Sequence, residues 1–122
     1  MMEETMNKFI DIDYSESILD SYPHPIRKNI IEGEPIWESA SIYRDEIKGI
    51  EIGIWGANEG KWTFLAEKSE QCHVLFGKSN ITNQQTGEIF TVEAGDSFFL
   101  ESGFEGIWEV IEPTRKEFLT FD

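Results

Sequence analysis

The chain carries a single cysteine, Cys72, in 122 residues. One thiol closes no disulfide within the chain, which excludes a disulfide-stapled secreted fold. It also excludes the paired-cysteine pattern of a structural zinc site. Histidine is scarce: His24 and His73 are the two present. Basic residues number 10 against 24 acidic ones, for a formal net charge of −14. A field of that sign repels phosphate backbones and anionic headgroups, so neither nucleic acid nor a membrane surface is expected as a partner. Apolar runs are short, Phe98-Phe99-Leu100 among the longest, and none is long enough to span a bilayer as a helix. The opening segment, MMEETMNKFIDID, is acidic where a signal peptide starts basic, and no apolar stretch follows. The expected compartment is the cytoplasm. The phosphate loop, the dinucleotide fingerprint and the nucleophile elbow are all missing.

What the chain does have is aromatic bulk: nine Phe, four Trp and three Tyr. These need a packed interior. The length suits one domain. Residues 1–35 read as an irregular arm packed on that domain. Asp11 to Asp20 is acidic and weakly periodic, with one short helical turn expected around Ser17–Asp20. Tyr22-Pro23-His24-Pro25 then holds the backbone extended.

Residues 36–122 read as β structure. Ile50, Ile52 and Ile54 alternate, giving one apolar face. Strands are expected over 36–43, 48–55, 61–66, 70–76, 79–82, 88–92, 97–100, 106–111 and 115–121. Asn83-Gln84-Gln85-Thr86-Gly87 is a hairpin signal, and Glu93-Ala94-Gly95-Asp96 and Ser102-Gly103 mark further turns. Pro113-Thr114 is expected to break the chain before the last strand. Short strands at this spacing mean an all-β sandwich or barrel.

The turn spacing resembles the cupin jelly roll. In the first cupin motif, G-x5-H-x-H-x3,4-E-x6-G, Glu70 and Gly77 match the last two fixed positions, while the histidine positions fall on Thr63 and Leu65. In the second, G-x5-P-x-G-x2-H-x3-N, Gly95 and Gly103 match, while Glu101, Gly106 and Val110 stand at the proline, histidine and asparagine positions. Gly53-Ile54-Trp55, Glu70 to Leu75, Gly95-Asp96-Ser97, Gly103 to Val110 and Glu112 to Lys116 occur in the order of a small cupin subfamily. That subfamily includes the ethanolamine-utilisation Q protein and (S)-ureidoglycine aminohydrolase-like domains. The resemblance covers about residues 34–121. It implies a cupin-type double-stranded β-helix and commonly a dimer. Metallocupins hold a transition metal with three His and one Glu. Only Glu70 of that set stands here, so no metal and no other cofactor are expected.

If Glu70 points into the barrel, Cys72 and Val74 follow by alternation, as do Phe104, Trp108 and Val110 counted from Gly106. The expected ligand-binding set is therefore Thr63, Leu65, Glu70, Cys72, Phe104 and Trp108, a mostly apolar pocket with few polar groups. Phe104, Trp108 and Val110 equally fit plain core, and Cys72 an inert buried thiol. Glu70 is the candidate acid or base. His73 falls on the opposite face of its strand. Arg115-Lys116 is expected to pair with Glu109, Glu112 or Glu117. Trp37, Trp55 and Trp62 are expected to cover the outside of a sheet, where an apolar face would join two chains in a homodimer.

Three functions stay open. The first is a metal-free cupin that binds a small organic molecule in its barrel. The second is a small-molecule enzyme, aminohydrolase- or isomerase-like, with Glu70 as acid or base. The third is a dimeric interaction module with a filled barrel.

Overall fold

The computed structural model describes residues 8–13 and 19–122. The expected helical turn at Ser17–Asp20 lies largely outside the described residues; Asp20 itself opens a strand. Among the described residues, nine strands form one continuous sheet: β1 (Asp20–Pro23), β2 (Ile30–Glu32), β3 (Ile36–Asp45), β4 (Ile50–Ala57), β5 (Gly60–Leu65), β6 (Ser69–Asn83), β7 (Ile89–Glu93), β8 (Ser97–Leu100) and β9 (Glu105–Phe121). One turn of 3-10 helix, Arg27–Asn29, joins β1 to β2.

Two long strands organise everything. β9 pairs with β5 through Glu105–Val110 and with β4 through Thr114–Thr120. Along its other edge it pairs antiparallel with β6 from end to end. β6 in turn carries β8 on Glu70–His73 and β7 on Lys78–Thr82. The sheet thus curls into two layers that share β6 and β9. One layer runs β1-β3-β4-β9-β6-β8 and the other β2-β5-β9-β6-β7. This is the jelly-roll architecture that the cupin resemblance implies. The segment before residue 36 joins it through β1 on β3 and β2 on β5.

The expected break at Pro113 does not occur, because β9 runs through it. Proline has no N–H to give a ladder, and the irregularity falls on the neighbour instead. β6 shifts register between Val74 and Ser79, opposite Pro113. Gly77 takes φ +89° there, and a Cβ on it would run into the Pro113 carbonyl oxygen. Only glycine gives both the left-handed backbone and that approach.

Trp37, Trp55 and Trp62 do not cover the outside. Trp55 and Trp62 lie in the buried core with Val74, Ile81, Val92, Trp108 and Val110, and Trp37 packs against it. The indoles meet tilted or edge-on at centroid distances of 5.2–6.1 Å. Indoles bury the most area per residue, so the interior takes them. The alternating isoleucines of β4 then fall on the opposite face from Trp55.

Candidate functional site

At one end of the barrel the interior opens into a cavity of about 380 Å³. Its walls include Trp37, Trp55, Trp62, Phe64, Trp108 and Phe118. Glu70 and Lys116 supply polar atoms inside it, and Glu51, Glu67 and Lys68 also border it.

Glu70 comes from β6 and Lys116 from the C-terminal half of β9. The Lys116 ammonium donates to Glu70 Oε2 at 2.7 Å. The Cys72 thiol donates to the same oxygen at 3.2 Å. Lys116 Nζ also lies 3.7 Å from Cys72 Sγ. The ammonium stands 4.9 Å from the Trp55 ring centre and 4.7 Å from that of Trp108. Such contacts attract a cation through the ring quadrupole, more strongly when water is excluded. The Lys116 side chain is 9% exposed and that of Glu70 20%. Among the described residues, Glu70 Oε1 has no partner.

Burial pushes the Glu70 carboxyl up, but the Lys116 charge and the hydrogen bonds from Lys116 and Cys72 outweigh it and hold the pKa below the usual carboxylate value. Burial pushes the Lys116 ammonium down, and Glu70 and Cys72 together reverse that and raise it. Both groups are therefore charged at neutral pH. Cys72 is pushed up to about 12, chiefly by burial, so it is a thiol and not a nucleophilic thiolate.

A buried relay fixes one of the indoles. Trp108 Nε1 donates to Ser79 Oγ at 3.1 Å, Ser79 and Thr114 hydroxyls meet at 2.7 Å, and Thr114 donates to the Glu112 carbonyl at 2.8 Å. One proton arrangement satisfies every group: Trp108 to Ser79, Ser79 to Thr114, Thr114 to Glu112. The face of Trp108 is thereby held toward Lys116.

Of the residues expected from the sequence, Glu70 and Trp108 line the cavity, and Leu65, 57% exposed, sits at its edge. Cys72 is fully buried beside Glu70. Phe104 packs on Phe64, ring centres 5.8 Å apart, and does not line the cavity. Thr63 does not line it either; its neighbours Trp62 and Phe64 turn inward on β5, which leaves Thr63 on the opposite face. His73 faces away from the site and bonds Ser97 Oγ at 2.8 Å. The Arg115-Lys116 pair takes other partners than those expected: Arg115 bonds Glu38 at 2.5 Å and stands over Phe76, while Lys116 turns inward to Glu70. Lys116 is the main residue that the sequence reading missed, with Trp37, Trp55, Trp62 and Phe118 as further walls.

The three-His, one-Glu metal set of metallocupins does not fit here. Thr63 faces away, Gly106 has no donor, and the carboxylate of Glu70 already holds an ammonium. Among the described residues, no three His, Cys, Asp or Glu side chains gather as a metal cluster.

This double-stranded β-helix with an inward glutamate defines a cupin. More narrowly, the profile of the EutQ-like cupin domain matches residues 45–118, and the chain belongs to that family. Solved structures share its fold. A putative ethanolamine utilization protein Q from Salmonella typhimurium superposes with a TM-score of 0.62 at 15% identity, over 70% of this chain and 68% of that one. A DUF861-family protein of unknown function from Pseudomonas syringae pv. tomato gives 0.76 at 20% identity, over 86% of this chain and 45% of that one. A DUF861-family protein from Thermotoga maritima gives 0.54 at 29% identity, over 56% and 76%. Among curated proteins, none matches the sequence. No helix among the described residues is long and apolar enough to cross a membrane.

Proposed function

We propose that this cupin binds a small, flat organic molecule in the barrel cavity, without the usual metal tetrad. The observation that carries this reading is the cavity itself: about 380 Å³, walled by indole and phenyl rings, with one unpartnered carboxylate oxygen on Glu70. Apolar walls with a few fixed polar groups are the usual composition of a ligand site. The polar atoms also set the ligand's chemistry. Glu70 Oε1 accepts a hydrogen bond, so the ligand offers an N–H or O–H. Three carboxylates border the cavity against two ammonium groups, on a chain of net charge −14. Neutral and cationic ligands are therefore favoured over anions.

The test is a screen of small heterocycles and amides read by tryptophan fluorescence and thermal shift. Neutral or cationic hits that weaken at least tenfold in Trp62→Ala or Glu70→Gln support the reading. Hits confined to anions, or unaffected by both substitutions, overturn it. A general acid or base role for Glu70 has less support, because the carboxylate is ion-paired and charged at neutral pH. A filled interaction module has less support too, given the cavity. Self-association is proposed separately. Phe99, 51% exposed, stacks beside Phe121 at 5.9 Å and leaves apolar area for a second copy. Light scattering of wild type against Phe99→Glu tests it: a dimer turned monomer supports the proposal, and a monomeric wild type removes it.

A further inference from the structure

The environment of Lys116 Nζ is that of a bound cation. A carboxylate oxygen lies at 2.7 Å, a thiol sulfur at 3.7 Å, and two indole faces at 4.7 and 4.9 Å. The donors come from separate strands, β4, β6 and β9, and they converge on one point. Carboxylate, sulfur and aromatic faces all carry negative potential toward that point. Glu70 is the carboxylate that a metallocupin would use as a metal ligand, and it is turned toward this ammonium instead.

We propose that the Lys116 ammonium is a resident cation: it occupies the cation position of the barrel, neutralises Glu70 from within, and so keeps transition metals out of the native chain. The side chain is tethered to β9, so the positive charge is fixed by folding and needs no metal supply. A metal ion entering the same place would have to displace an ammonium that is bonded to its best remaining ligand. The site is therefore a cation site by construction whose occupant has been made part of the chain. This inference rests on the geometry around Nζ alone and does not require that the cavity bind an organic ligand.

Two consequences can be read directly. The first concerns metal. An imidazole at position 116 would end short of the present Nζ by about one metal–nitrogen bond, roughly 2.0–2.1 Å. Lys116→His would therefore set His, Glu70 and Cys72 around the vacated point, after Cys72 Sγ closes from 3.7 Å to metal–sulfur distance, roughly 2.3 Å, a shift of about 1.4 Å. The probe is Co²⁺ alone, because a cobalt–thiolate bond has a characteristic charge-transfer absorption. Wild type should show none. Folded Lys116→His should bind one Co²⁺ per chain with that absorption, and adding Cys72→Ser should abolish it.

The second consequence concerns the ammonium itself. Lys116→Ala removes what amounts to n-propylammonium, and that ion added in solution should raise the melting temperature of the variant. It should have no such effect on wild type or on Lys116→Ala combined with Glu70→Gln. Cobalt–thiolate absorption in wild type would overturn the proposal, since the barrel would then admit metal despite Lys116. A folded Lys116→His variant that binds no Co²⁺ would overturn it too. Should that variant not fold, the propylammonium titration decides: Glu70-dependent stabilisation supports the proposal, and its absence removes it.

Discussion

Removing the lysine of the buried pair has a computable outcome. At 2.7 Å and an effective dielectric near 20, the Glu70–Lys116 attraction is about 6 kcal/mol. Taking both ions out of water costs several kcal/mol each, so the pair contributes little net stability when intact. Breaking it is different. Lys116→Met leaves Glu70 charged, poorly hydrated and without its cation, a change that costs about 3–5 kcal/mol in buried pairs. Glu70 keeps some solvent contact, 20% of its side chain. The lower end, about 3 kcal/mol, is therefore expected, or roughly 10 °C in melting temperature for a chain of this size. Urea titration followed by tryptophan fluorescence measures it, because Trp55 and Trp108 flank the site. Replacing both partners, as Glu70→Leu with Lys116→Met, should recover most of the loss.

The pH response separates this account from a simple packing defect. In wild type the folded-state pKa of Glu70 is lowered. Its contribution is thus present above the ordinary carboxylate value and lost as pH falls through the lowered folded value. In Lys116→Met, burial, the largest of these effects, is opposed only by the Cys72 hydrogen bond, and the Glu70 pKa rises above ordinary. The folded variant then binds the proton more readily than the unfolded chain, and its deficit shrinks as pH falls through that raised value. A Lys116→Met protein as stable as wild type, or one whose deficit is flat with pH, would refute the reasoning.

Three further outcomes follow from single residues. Gly77→Ala combines positive φ with a collision against the Pro113 carbonyl, and should cost more than the ~1 kcal/mol of an ordinary Gly-to-Ala strain; a urea midpoint unchanged from wild type would contradict this. Cys72, with its pKa at about 12 and its side chain buried, should react with an aromatic disulfide reagent at neutral pH only on unfolding; a fast reaction in native buffer would show the thiol to be accessible. His24 is 3% exposed, accepts the Ile26 N–H at Nδ1 (3.0 Å), and has its pKa lowered by burial, with an interaction with its own backbone opposing. The unfolded chain takes up that proton first, so wild type should lose stability as pH falls from about 6.5, its ordinary value, through the lowered one. His24→Gln should lack that loss, and identical pH profiles for the two proteins would count against it.

The strands after residue 35 were legible because β periodicity and turn chemistry are local properties. The hairpin at Asn83–Gly87 forms as its residues dictate, with Gly87 at φ +79° and its N–H bonded to the Asn83 carbonyl. The glycine skeleton carried the family for the same reason: Gly77, Gly95 and Gly103 all sit at positive φ, a demand written at each position alone. The inward set on β9 was half legible. Gly106, Trp108, Val110, Thr114 and Lys116 are buried and share one alternation, with exposed Glu112 the one exception between them, so a strand read straight through Pro113 would have turned Lys116 inward. Proline suggested a break, and the count stopped there.

The sequence by itself determined the jelly roll, the absence of disulfide chemistry, the loss of the histidine ligands and the retention of Glu70. Only the tertiary structure decided what Glu70 meets. Its partner lies 46 residues away, on a strand whose neighbour takes up the register shift at Gly77. No local pattern reports such a meeting. The faces of Trp55 and Trp108 were decided at the same level: burying indole area inside the curled sheet outweighed covering it from outside, and the ammonium found its aromatic walls as a result.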